Sequence, residues 1–430
     1  MDKLVLTGGR PLNGAVRVAG AKNAVLPTMA ASLLTDEPLE LRGAPRLSDV
    51  STMQSVLNAL GVDASSTDED DGTRTLRLIG GGEIHPEAGW EHVRKMRGSV
   101  CVLGPLVSRV GRAEVSLPGG CVFGVRPIDV HLKGLEALGA RVRIEHGNIV
   151  AEAPKGGLIG AEVFLGTAFG SSVTGTMNVM MAATLARGTT VIHGAACEPE
   201  VEELGTCLLG MGAAIDGLGS PRIEIQGAER LHGATHQVMP DRIEAGTYLI
   251  AGAITGGRVR VDGCVPEHLS VLIDRLREAG YGVERGEDWL EVQPVGLGFR
   301  PRPTDVTTQP FPGFPTDLQA QWMALMCLAD GVSLITERIY PDRYMHLPEL
   351  VRAGARIRRQ EAIAIVQGVD RLSGAHVTAS DLRASAALVL AGLVASGETQ
   401  VHRVYHIDRG YERIEERLQA LGAEIQREQE

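Results

Sequence analysis

The feature that most constrains this chain is a glycine that follows a hydrophobic residue at the end of a helix-like stretch, six times along the sequence. The repeat length is roughly 70 residues, and the pairs are Leu60-Gly61, Leu138-Gly139, Met211-Gly212, Ala279-Gly280, Ala353-Gly354 and Leu421-Gly422. Glycine ends a helix readily because it adopts the left-handed conformation without a Cβ penalty. The pattern predicts one structural unit used six times.

The helix before each glycine is predicted to be amphipathic, and a pair of short strands is predicted to follow it. Before Gly61, Ser48 and Asp49 are candidate caps, and apolar residues recur at helical spacing at positions 50, 53, 56, 57 and 60. After the later glycines, polar and apolar residues alternate in 222–226, 288–292 and 362–366. This alternation is typical of the second strand of a pair.

A second helix in each unit is predicted to be buried on every side. These stretches are apolar around their whole circumference and rich in Ala, Gly and Met, and they cover residues 24–34, 100–110, 176–186, 245–254, 317–329 and 384–395. Small side chains let such helices pack closely, in agreement with an aromatic content of only 3%. We therefore expect helices inside and sheets outside.

The length and the two ends of the chain predict two domains. The sixth unit stops without the strand that follows in the others, and residues 4–14 resemble 223–233 and 363–374, so the N-terminal strand is predicted to complete the last unit. For 430 residues the usual number of domains is two or three. Two groups of three units give a first domain at 22–235 and a second at 1–21 with 236–430.

Composition excludes several classes of protein. The six cysteines show no CxxC spacing and no cluster with histidine, so neither a zinc site nor a disulfide framework is indicated. The longest apolar run is too short to span a bilayer, and the first residues do not resemble a signal peptide. A net charge of −11 argues against nucleic-acid binding. We expect a soluble, cytoplasmic protein that binds neither nucleic acid nor membrane.

Charged and polar residues stand at the start of the predicted inner helices: Lys22, Asn23, Arg97, Asp241, Arg242, Asp317, Asp381 and Arg383. If these helices run parallel within a domain, their N-termini meet on one face, whose free N–H groups and positive dipole ends attract phosphates and carboxylates. The same residues could be ordinary caps, but cations are disfavoured at that helix end. We therefore expect a cleft between two such faces that binds small anions.

The segment from residue 118 to residue 131 is predicted to be a mobile loop with a reactive thiol. Three glycines and a proline surround Cys121, and Arg126 and His131 are basic groups that favour its thiolate form. The other cysteines lie in apolar or helical contexts typical of inert core thiols, and they are Cys101, Cys197, Cys207, Cys264 and Cys327.

Specific motifs spread along the chain carry a resemblance to a known family. They are Gly20-Ala-Lys-Asn-Ala24, Met96-Arg-Gly-Ser99, Leu103-Gly-Pro-Leu106, the Cys121 loop, Pro240-Asp-Arg-Ile-Glu-Ala-Gly-Thr247, Phe314-Pro-Thr-Asp-Leu-Gln-Ala-Gln321, Asp381-Leu-Arg-Ala-Ser385 and Tyr405-His-Ile-Asp-Arg-Gly-Tyr-Glu-Arg413. With them the chain resembles the UDP-N-acetylglucosamine 1-carboxyvinyltransferases from end to end. The resemblance implies an α/β fold with two inside-out α/β barrel domains, each of three βαβαββ units, and a cleft between them.

The resemblance also implies a reaction and the residues that perform it. Phosphoenolpyruvate and a uridine nucleotide sugar would combine by addition and elimination, without a cofactor or metal, in the first committed step of peptidoglycan precursor synthesis. Cys121 matches the proton donor of the family, and Asp317 matches the carboxylate at the sugar hydroxyl, with Asn23 as its companion. Lys22, Arg126 and Arg409 match residues that handle phosphoenolpyruvate.

Further positions match the binding site for the nucleotide sugar. The segment Arg126, Pro127, Ile128, Asp129 and Val130 matches the uracil-reading segment, and His131 follows it. The remaining matches, around the nucleotide, the sugar and the cleft, are Arg97, Ser172, Val173, Thr174, Ile339, Arg343, Asp381 and Arg383. The resemblance leaves the oligomeric state open.

One segment departs from the family pattern. The family usually reads Ser-Val-Gly-Ala-Thr-Glu-Asn where this chain has Ser172-Val-Thr-Gly-Thr-Met-Asn178, and Gly170 stands where some members have lysine. Because this segment faces the nucleotide phosphates in the family, an alternative is a paralogue that transfers enolpyruvyl to UMP or another uridine nucleotide. Neutral drift is the favoured explanation, because Asn23 and Asp317, which serve the sugar, are kept.

Two further classes are disfavoured. A sliding clamp also repeats a unit of helices and strands six times, but it lines its hole with Lys and Arg, whereas the inner helices here are apolar. The relative 5-enolpyruvylshikimate-3-phosphate synthase shares the fold class but lacks the cysteine loop.

Overall fold

The computed structural model describes residues 2–70, 72–94, 96–117, 128–296 and 298–430. The described chain divides into two compact units: the middle unit, residues 20–239, and the terminal unit, residues 2–19 with 240–430. We propose that these units are the two domains whose bounds the sequence predicts at 22–235 and at 1–21 with 236–430.

Helices occur throughout both units. The α-helices are α1 (Lys22–Ala30), α2 (Ser48–Ala59), α3 (Trp90–Val93), α4 (Leu103–Val110), α5 (Asp129–Ala137), α6 (Val173–Ala183), α7 (Pro199–Gly210), α8 (Arg242–Thr255), α9 (Ser270–Glu278), α10 (Gln319–Met326), α11 (Leu347–Arg352), α12 (Leu382–Gly392) and α13 (Ile414–Ala420). Short 3₁₀ helices cover Ala31–Leu34, Arg97–Val102, Pro266–Leu269, Thr316–Leu318 and Val404–Arg409.

The strands are short and alternate with these helices. They are β1 (Asp2–Thr7), β2 (Asn13–Arg17), β3 (Pro38–Arg42), β4 (Asp63–Asp68), β5 (Arg74–Ile79), β6 (Glu87–Ala88), β7 (Arg112–Ser116), β8 (Arg141–Glu145), β9 (Asn148–Glu152), β10 (Glu162–Phe164), β11 (Gly166–Thr167), β12 (Gly170–Ser171), β13 (Thr189–His193), β14 (Ala214–Asp216), β15 (Arg222–Gln226), β16 (Ala234–Gln237), β17 (Arg258–Asp262), β18 (Tyr281–Arg285), β19 (Trp289–Pro294), β20 (Val306–Thr307), β21 (Val332–Thr336), β22 (Arg356–Gln360), β23 (Ile363–Gln367), β24 (His376–Thr378), β25 (Glu398–His402) and β26 (Glu424–Gln429).

The middle unit contains three four-stranded sheets, with strand orders β16-β3-β5-β4, β6-β7-β9-β8 and β10-β13-β15-β14, and a hairpin of β11 and β12. In each sheet two strand pairs are antiparallel and one is parallel. The apolar face of every sheet joins one hydrophobic core with the buried helices α1, α4 and α6.

The terminal unit repeats this plan with the strand orders β18-β19-β17-β2, β20-β21-β23-β22 and β24-β25-β1-β26. Its buried helices are α8, α10 and α12, and they share a second core with the sheets. Strand β1 is antiparallel to both neighbours, with Leu4 opposite Val401 on one side and Arg427 on the other. The N-terminal strand therefore lies inside the sheet that the C-terminal residues form.

The inner helices are buried because they carry small or apolar residues on every side. In α8 every residue from 242 to 254 is buried, and the helix ends at Gly256, whose φ is +67°. At its start the Asp241 carboxylate accepts the N–H groups of Ile243 and Glu244 at 2.8 and 3.0 Å. The prediction of helices inside and sheets outside is confirmed.

The glycines that define the repeat have the predicted backbone conformation. Their φ angles lie between +87° and +99°, and they are Gly61, Gly139, Gly212, Gly280, Gly354 and Gly422. This conformation favours glycine because a Cβ would be strained there. Among the described residues no helix is long and apolar enough to cross a membrane, and no three His, Cys, Asp or Glu side chains are grouped so that they could hold a metal ion.

The contact at Gly104 shows how closely two inner helices of the middle unit approach each other. A Cβ at Gly104 on α4 would lie 2.3 Å from the backbone oxygen of Asn178 on α6. We expect Gly104→Ala to destabilise the middle unit by about 1–3 kcal/mol, which lowers its melting temperature by roughly 2–10 °C. Calorimetry measures this change. Gly89→Ala is the control, because a Cβ there meets nothing within 4 Å and φ is −68°. Equal losses in both variants would contradict close packing as the cause.

Candidate active site

In the terminal unit, Asp317 lies between two buried arginines. It belongs to the 3₁₀ turn Thr316–Leu318 that leads into α10. Its Oδ1 accepts from Arg343 Nη1 at 2.6 Å, and its Oδ2 accepts from Arg383 Nη2 at 3.0 Å. Burial opposes ionisation of the carboxyl, but the two guanidinium groups outweigh it and hold the pKa of Asp317 well below its usual value. Asp317 is therefore an ionised hydrogen-bond acceptor.

This charge state limits the chemistry of Asp317. The carboxylate is 22% exposed on its side-chain surface, so it keeps access for a hydroxyl donor. A carboxylate with so low a pKa is a weak base, because proton transfer is most efficient when the pKa lies near the working pH. The geometry therefore favours orientation of a hydroxyl group, and proton uptake would require the arginines to withdraw.

A second carboxylate, Glu337, links the loop that precedes Arg343 to two threonine hydroxyls. It is fully buried after strand β21. Its Oε1 accepts from the Thr308 hydroxyl at 2.7 Å and from the N–H groups of Ile339 and Tyr340 at 2.8 and 2.9 Å. Its Oε2 accepts from the Thr316 hydroxyl at 2.9 Å, and Arg343 Nη1 donates to Thr316 Oγ1 at 3.0 Å. Sequence reasoning missed Glu337; its position directly after the alternating strand β21 was the available signal.

The start of α12 combines a helix cap with a side chain directed at Asp317. Asp381 Oδ1 accepts the N–H groups of Arg383 and Ala384 at 2.9 and 3.0 Å, so Asp381 is an N-cap. Burial lowers the pKa of the neighbouring His346 to about 4, with opposing effects of Asp381 and Arg343. Arg409 ends the 3₁₀ helix Val404–Arg409 and is partly buried. The structure thus brings Asp317, Arg343, Arg383 and Asp381 together.

In the middle unit, a lysine and an aspartate form a buried ion pair. Lys22 begins α1, and its Nζ lies 2.8 Å from Oδ2 of Asp49 in the first turn of α2. Only 8% of Lys22 and 3% of Asp49 are exposed. The aspartate offsets the unfavourable position of a cation at a helix N-terminus. Asn23 and Arg97, at the starts of α1 and of the 3₁₀ helix Arg97–Val102, are partly buried.

A hydrogen-bond network joins His131 on α5 to the start of α6. Asn178 Nδ2 lies 2.9 Å from His131 Nδ1 and donates to the carbonyl of Val100 at 2.8 Å, while its Oδ1 accepts the N–H of Gly104 at 2.7 Å. With both amide hydrogens donated, His131 Nδ1 acts as an acceptor, and its Nε2–H faces Thr174 Oγ1 at 3.3 Å. His131 is therefore a neutral positioning residue.

The neutral state of His131 corrects one expectation. Burial first, and Arg97 second, lower its pKa to about 4. At neutral pH it carries no charge, so the expectation that it stabilises a thiolate at Cys121 as a cation is wrong. Cys121, Arg126 and Pro127 lie outside the described residues. Next to His131, Ile128 is partly buried, Asp129 is exposed and Val130 is buried.

The segment that departs from the family pattern packs against this network. Ser172 caps α6 by accepting the N–H of Gly175 at 3.2 Å. A Cβ at Gly175 would lie 2.9 Å from Val130 Cγ1, so glycine permits the approach of α5. Thr174 is exposed apart from its contact with His131, and Val173 is partly buried. Two of the altered residues, Thr174 and Gly175, therefore contact His131 and Val130.

The five cysteines among the described residues have raised thiol pKa values. All five are free. Burial raises the pKa of Cys101, Cys207 and Cys327 to about 12 and that of Cys264 to about 11. Cys197 is partly exposed, and burial together with Glu198 raises its pKa. High pKa values disfavour the thiolate, so these thiols are poor nucleophiles at neutral pH.

The buried histidine predicts a pH dependence of stability. Its folded pKa of about 4 lies below the unfolded value of about 6.5. The contribution of His131 to the free energy of unfolding is therefore fully present above pH 6.5. It is lost as the pH falls toward 4, and the loss is about 2 kcal/mol at pH 5. We expect the melting temperature of the middle unit to fall less steeply between pH 7 and pH 5 in His131→Gln than in the wild type. His85→Gln, at an exposed position, is the control, and identical slopes in all three proteins would refute the assignment.

Comparison with known proteins agrees with these observations. A family profile described as EPSP synthase (3-phosphoshikimate 1-carboxyvinyltransferase) matches residues 6–418. The UDP-N-acetylglucosamine 1-carboxyvinyltransferase of Anaeromyxobacter sp. (strain K) is 55% identical over 427 residues, which cover 99% of each chain. That of Dinoroseobacter shibae (strain DSM 16493 / NCIMB 14021 / DFL 12) is 53% identical over 430 residues, 100% of each chain.

Solved structures show the same fold. The enolpyruvyl transferase NikO from Streptomyces tendae superimposes with a TM-score of 0.88 at 26% identity, covering 99% of this chain and 98% of that one. EPSP synthase from Acinetobacter baumannii gives a TM-score of 0.72 at 16% identity with full coverage of both chains, 100% each, and supports the fold alone. With more than half of its residues identical to those of its relatives over nearly the whole length, the chain belongs to the UDP-N-acetylglucosamine 1-carboxyvinyltransferase family of enolpyruvyl transferases.

Proposed function

We propose that this protein transfers the enolpyruvyl group of phosphoenolpyruvate to the 3-hydroxyl of UDP-N-acetylglucosamine and releases phosphate. The observation that carries the proposal is Asp317, a carboxylate held ionised by Arg343 and Arg383 in a chain 55% identical to an enzyme named for this reaction. An ionised acceptor at this place can orient a sugar hydroxyl for attack. The reaction makes a peptidoglycan precursor, and we assign it to the cytoplasm.

The proposed mechanism has an addition step and an elimination step. The 3-oxygen of the sugar forms a bond to C2 of phosphoenolpyruvate, while C3 receives a proton from the Cys121 thiol and the hydroxyl proton passes to solvent water. In the elimination step the Cys121 thiolate takes a proton back from C3 as the C2–O bond to phosphate breaks, which restores the double bond and the thiol. Asp317 holds the hydroxyl in line, with Asn23 as the second polar group. Positive charge from Lys22 and Arg409 stabilises the phosphate and carboxylate groups as charge shifts.

The remaining predicted residues hold the ligands. Arg97 and Arg126 add positive charge for the anions, and Asp381 and Arg383 shape the start of α12. The uridine side is assigned to Pro127, Ile128, Asp129, Val130, His131, Ser172, Val173, Thr174, Ile339 and Arg343. In this assignment His131 acts through Thr174, and Glu337 acts through the backbone of Ile339.

The acceptor is tested by phosphate release from phosphoenolpyruvate. We expect release with UDP-N-acetylglucosamine and none without nucleotide, because attack by the sugar hydroxyl precedes loss of phosphate. UMP, added at the same concentration, should give at most a small fraction of that rate. Release with UMP alone would favour the paralogue that uses a simpler uridine nucleotide. Release without nucleotide, or none with any uridine nucleotide, would refute the proposed function.

The proton donor is tested at Cys121. Cys121→Asp keeps an acid and should retain turnover, whereas Cys121→Ser should lose it by on the order of 10²-fold or more, because serine is a poor acid. The phosphonate epoxide fosfomycin, an analogue of phosphoenolpyruvate in charge and size, should alkylate Cys121, and faster when sugar nucleotide is bound. Mass spectrometry locates the adduct. Cys197→Ser is the control, because Cys197 is the partly exposed thiol among the described residues; an adduct at Cys197 with Cys121 unmodified would contradict this assignment.

A further inference from the structure

Three inner helices of the terminal unit direct polar side chains at one buried hydroxyl. Tyr411 is only 1% exposed. Its hydroxyl lies 2.9 Å from Thr247 Oγ1 on α8, 3.3 Å from Gln321 Nε2 on α10 and 3.3 Å from Arg383 Nη1 on α12. Each of the three helices that form the centre of this unit therefore contributes one partner to Tyr411.

The hydrogens of this network can be assigned from donor and acceptor counts. The Thr247 hydroxyl donates to the carbonyl of Ile243 at 2.8 Å, so it accepts from Tyr411. The Tyr411 oxygen then accepts from Arg383 Nη1, which carries only donors. Gln321 Nε2 has two hydrogens: one goes to the Asp317 carbonyl, and the other is shared between Thr247 Oγ1 and the Tyr411 oxygen. Burial first raises the pKa of Tyr411, although Arg383 opposes this, and the phenol stays neutral. The Tyr411 oxygen is thus a fixed acceptor for the guanidinium group.

Arg383 depends on Tyr411 for its orientation. In the described chain its side chain has two hydrogen-bond partners, Asp317 through Nη2 at 3.0 Å and Tyr411 through Nη1 at 3.3 Å. Its Nε has none. Two partners on the two terminal nitrogens fix the plane of the guanidinium, whereas one partner leaves it free to rotate about that contact. Without the phenol oxygen, Asp317 would be the sole hydrogen-bond partner of the Arg383 side chain among the described residues.

Gln321 extends the same support to the backbone of Asp317. Its Nε2 donates to the Asp317 carbonyl at 2.9 Å and to Thr247 Oγ1 at 3.1 Å. The backbone and the side chain of Asp317 are therefore both linked, through one intermediate residue each, to the cluster around Tyr411. The residue before Tyr411 is Gly410, which packs closely against Leu382: a Cβ at this position would lie 2.7 Å from Leu382 Cδ2.

We propose that Tyr411 is a positioning residue for enolpyruvyl transfer, which holds Arg383 so that its guanidinium keeps the Asp317 carboxylate aligned with the acceptor hydroxyl. This inference rests on the proposed function, because it assigns Tyr411 a role in the reaction proposed for Asp317. The role differs from packing, since the phenol ring alone would fill the same space.

The test compares Tyr411→Phe with the wild type. The variant keeps the ring and removes the hydroxyl, so kcat should fall roughly ten- to a hundredfold, as expected for a displaced reacting group. KM for phosphoenolpyruvate should change by less than about threefold, because uniform binding is retained. Tyr248→Phe is the matched control: that tyrosine is fully buried, and its hydroxyl donates to Glu244 at 3.4 Å, whereas the Tyr411 hydroxyl accepts from Arg383.

The pH profile separates positioning from loss of stability. A less constrained Arg383 stabilises the Asp317 anion less, so the acidic limb of the kcat profile should move to higher pH in Tyr411→Phe and stay in place in Tyr248→Phe. The charged and titratable groups that face Asp317 or its arginines are Arg343, Arg383, Tyr411, Asp381, Asp241, Glu337 and His346. Tyr248→Phe retains all of them, and Tyr411→Phe loses only the Tyr411 hydroxyl. An unchanged acidic limb with unchanged kcat in Tyr411→Phe would overturn the proposal.

Two additions keep the test decisive. Thr247→Val removes the acceptor of the Tyr411 hydroxyl and should shift kcat and the acidic limb in the same direction by a smaller amount, so it replaces Tyr411→Phe if that variant fails to fold. If the wild type releases no phosphate with any nucleotide, the proposed function fails, and the pKa of Asp317 is then measured by carbon-13 NMR of the carboxyl groups. A higher pKa of Asp317 in Tyr411→Phe supports the positioning role, and an equal one refutes it.

Discussion

The close packing of fully buried helices is the constraint on which the rest of this structure depends. Small residues let α4 and α6 approach until a single Cβ added at Gly104 would meet the backbone oxygen of Asn178, and α10 packs against α12 in the other unit. Because these helices have no solvent-facing side, any polar residue on them must find a partner inside the unit. The polar residues at their starts are therefore organised into networks, and each unit carries candidate site residues in such a network.

The polar residues of the inner helices form different kinds of network in the two units. In the terminal unit the network is charged. The guanidinium groups of Arg343 and Arg383 both donate to the Asp317 carboxylate, and Arg383 also donates to the hydroxyl of Tyr411. In the middle unit the comparable network around Asn178 and His131 is neutral, and a separate buried ion pair joins Lys22 and Asp49. The terminal unit thus contains a fixed anion, whereas this network of the middle unit carries no charge.

The sequence predicted the parts of the structure that depend on local conformation or on a repeated pattern. All six repeat glycines have the left-handed conformation that their positions indicated, and the six apolar stretches are the buried helices. What it could not predict are partners set by contacts between distant elements. Asp49 follows its partner Lys22 by 27 positions, and Arg383 lies 66 positions after Asp317 and 28 before Tyr411. None of these spacings carries a local signal. The neutral state of His131 was not predicted for the same reason, because burial first and the distant Arg97 second lower its pKa.

The place of strand β1 has a consequence for how the chain folds during synthesis. Leu4 pairs with Val401 and with Arg427, so the first strand must wait for nearly 400 residues before its partners exist. At about 5–20 residues per second this wait is roughly 20 to 80 s, during which the middle unit is already complete. For that period the sequence Lys3-Leu-Val-Leu-Thr7 is an unpaired, alternating β segment. Of all the strands it is exposed longest to the nascent chain's surroundings, and chaperone contact or misassembly during translation would begin there.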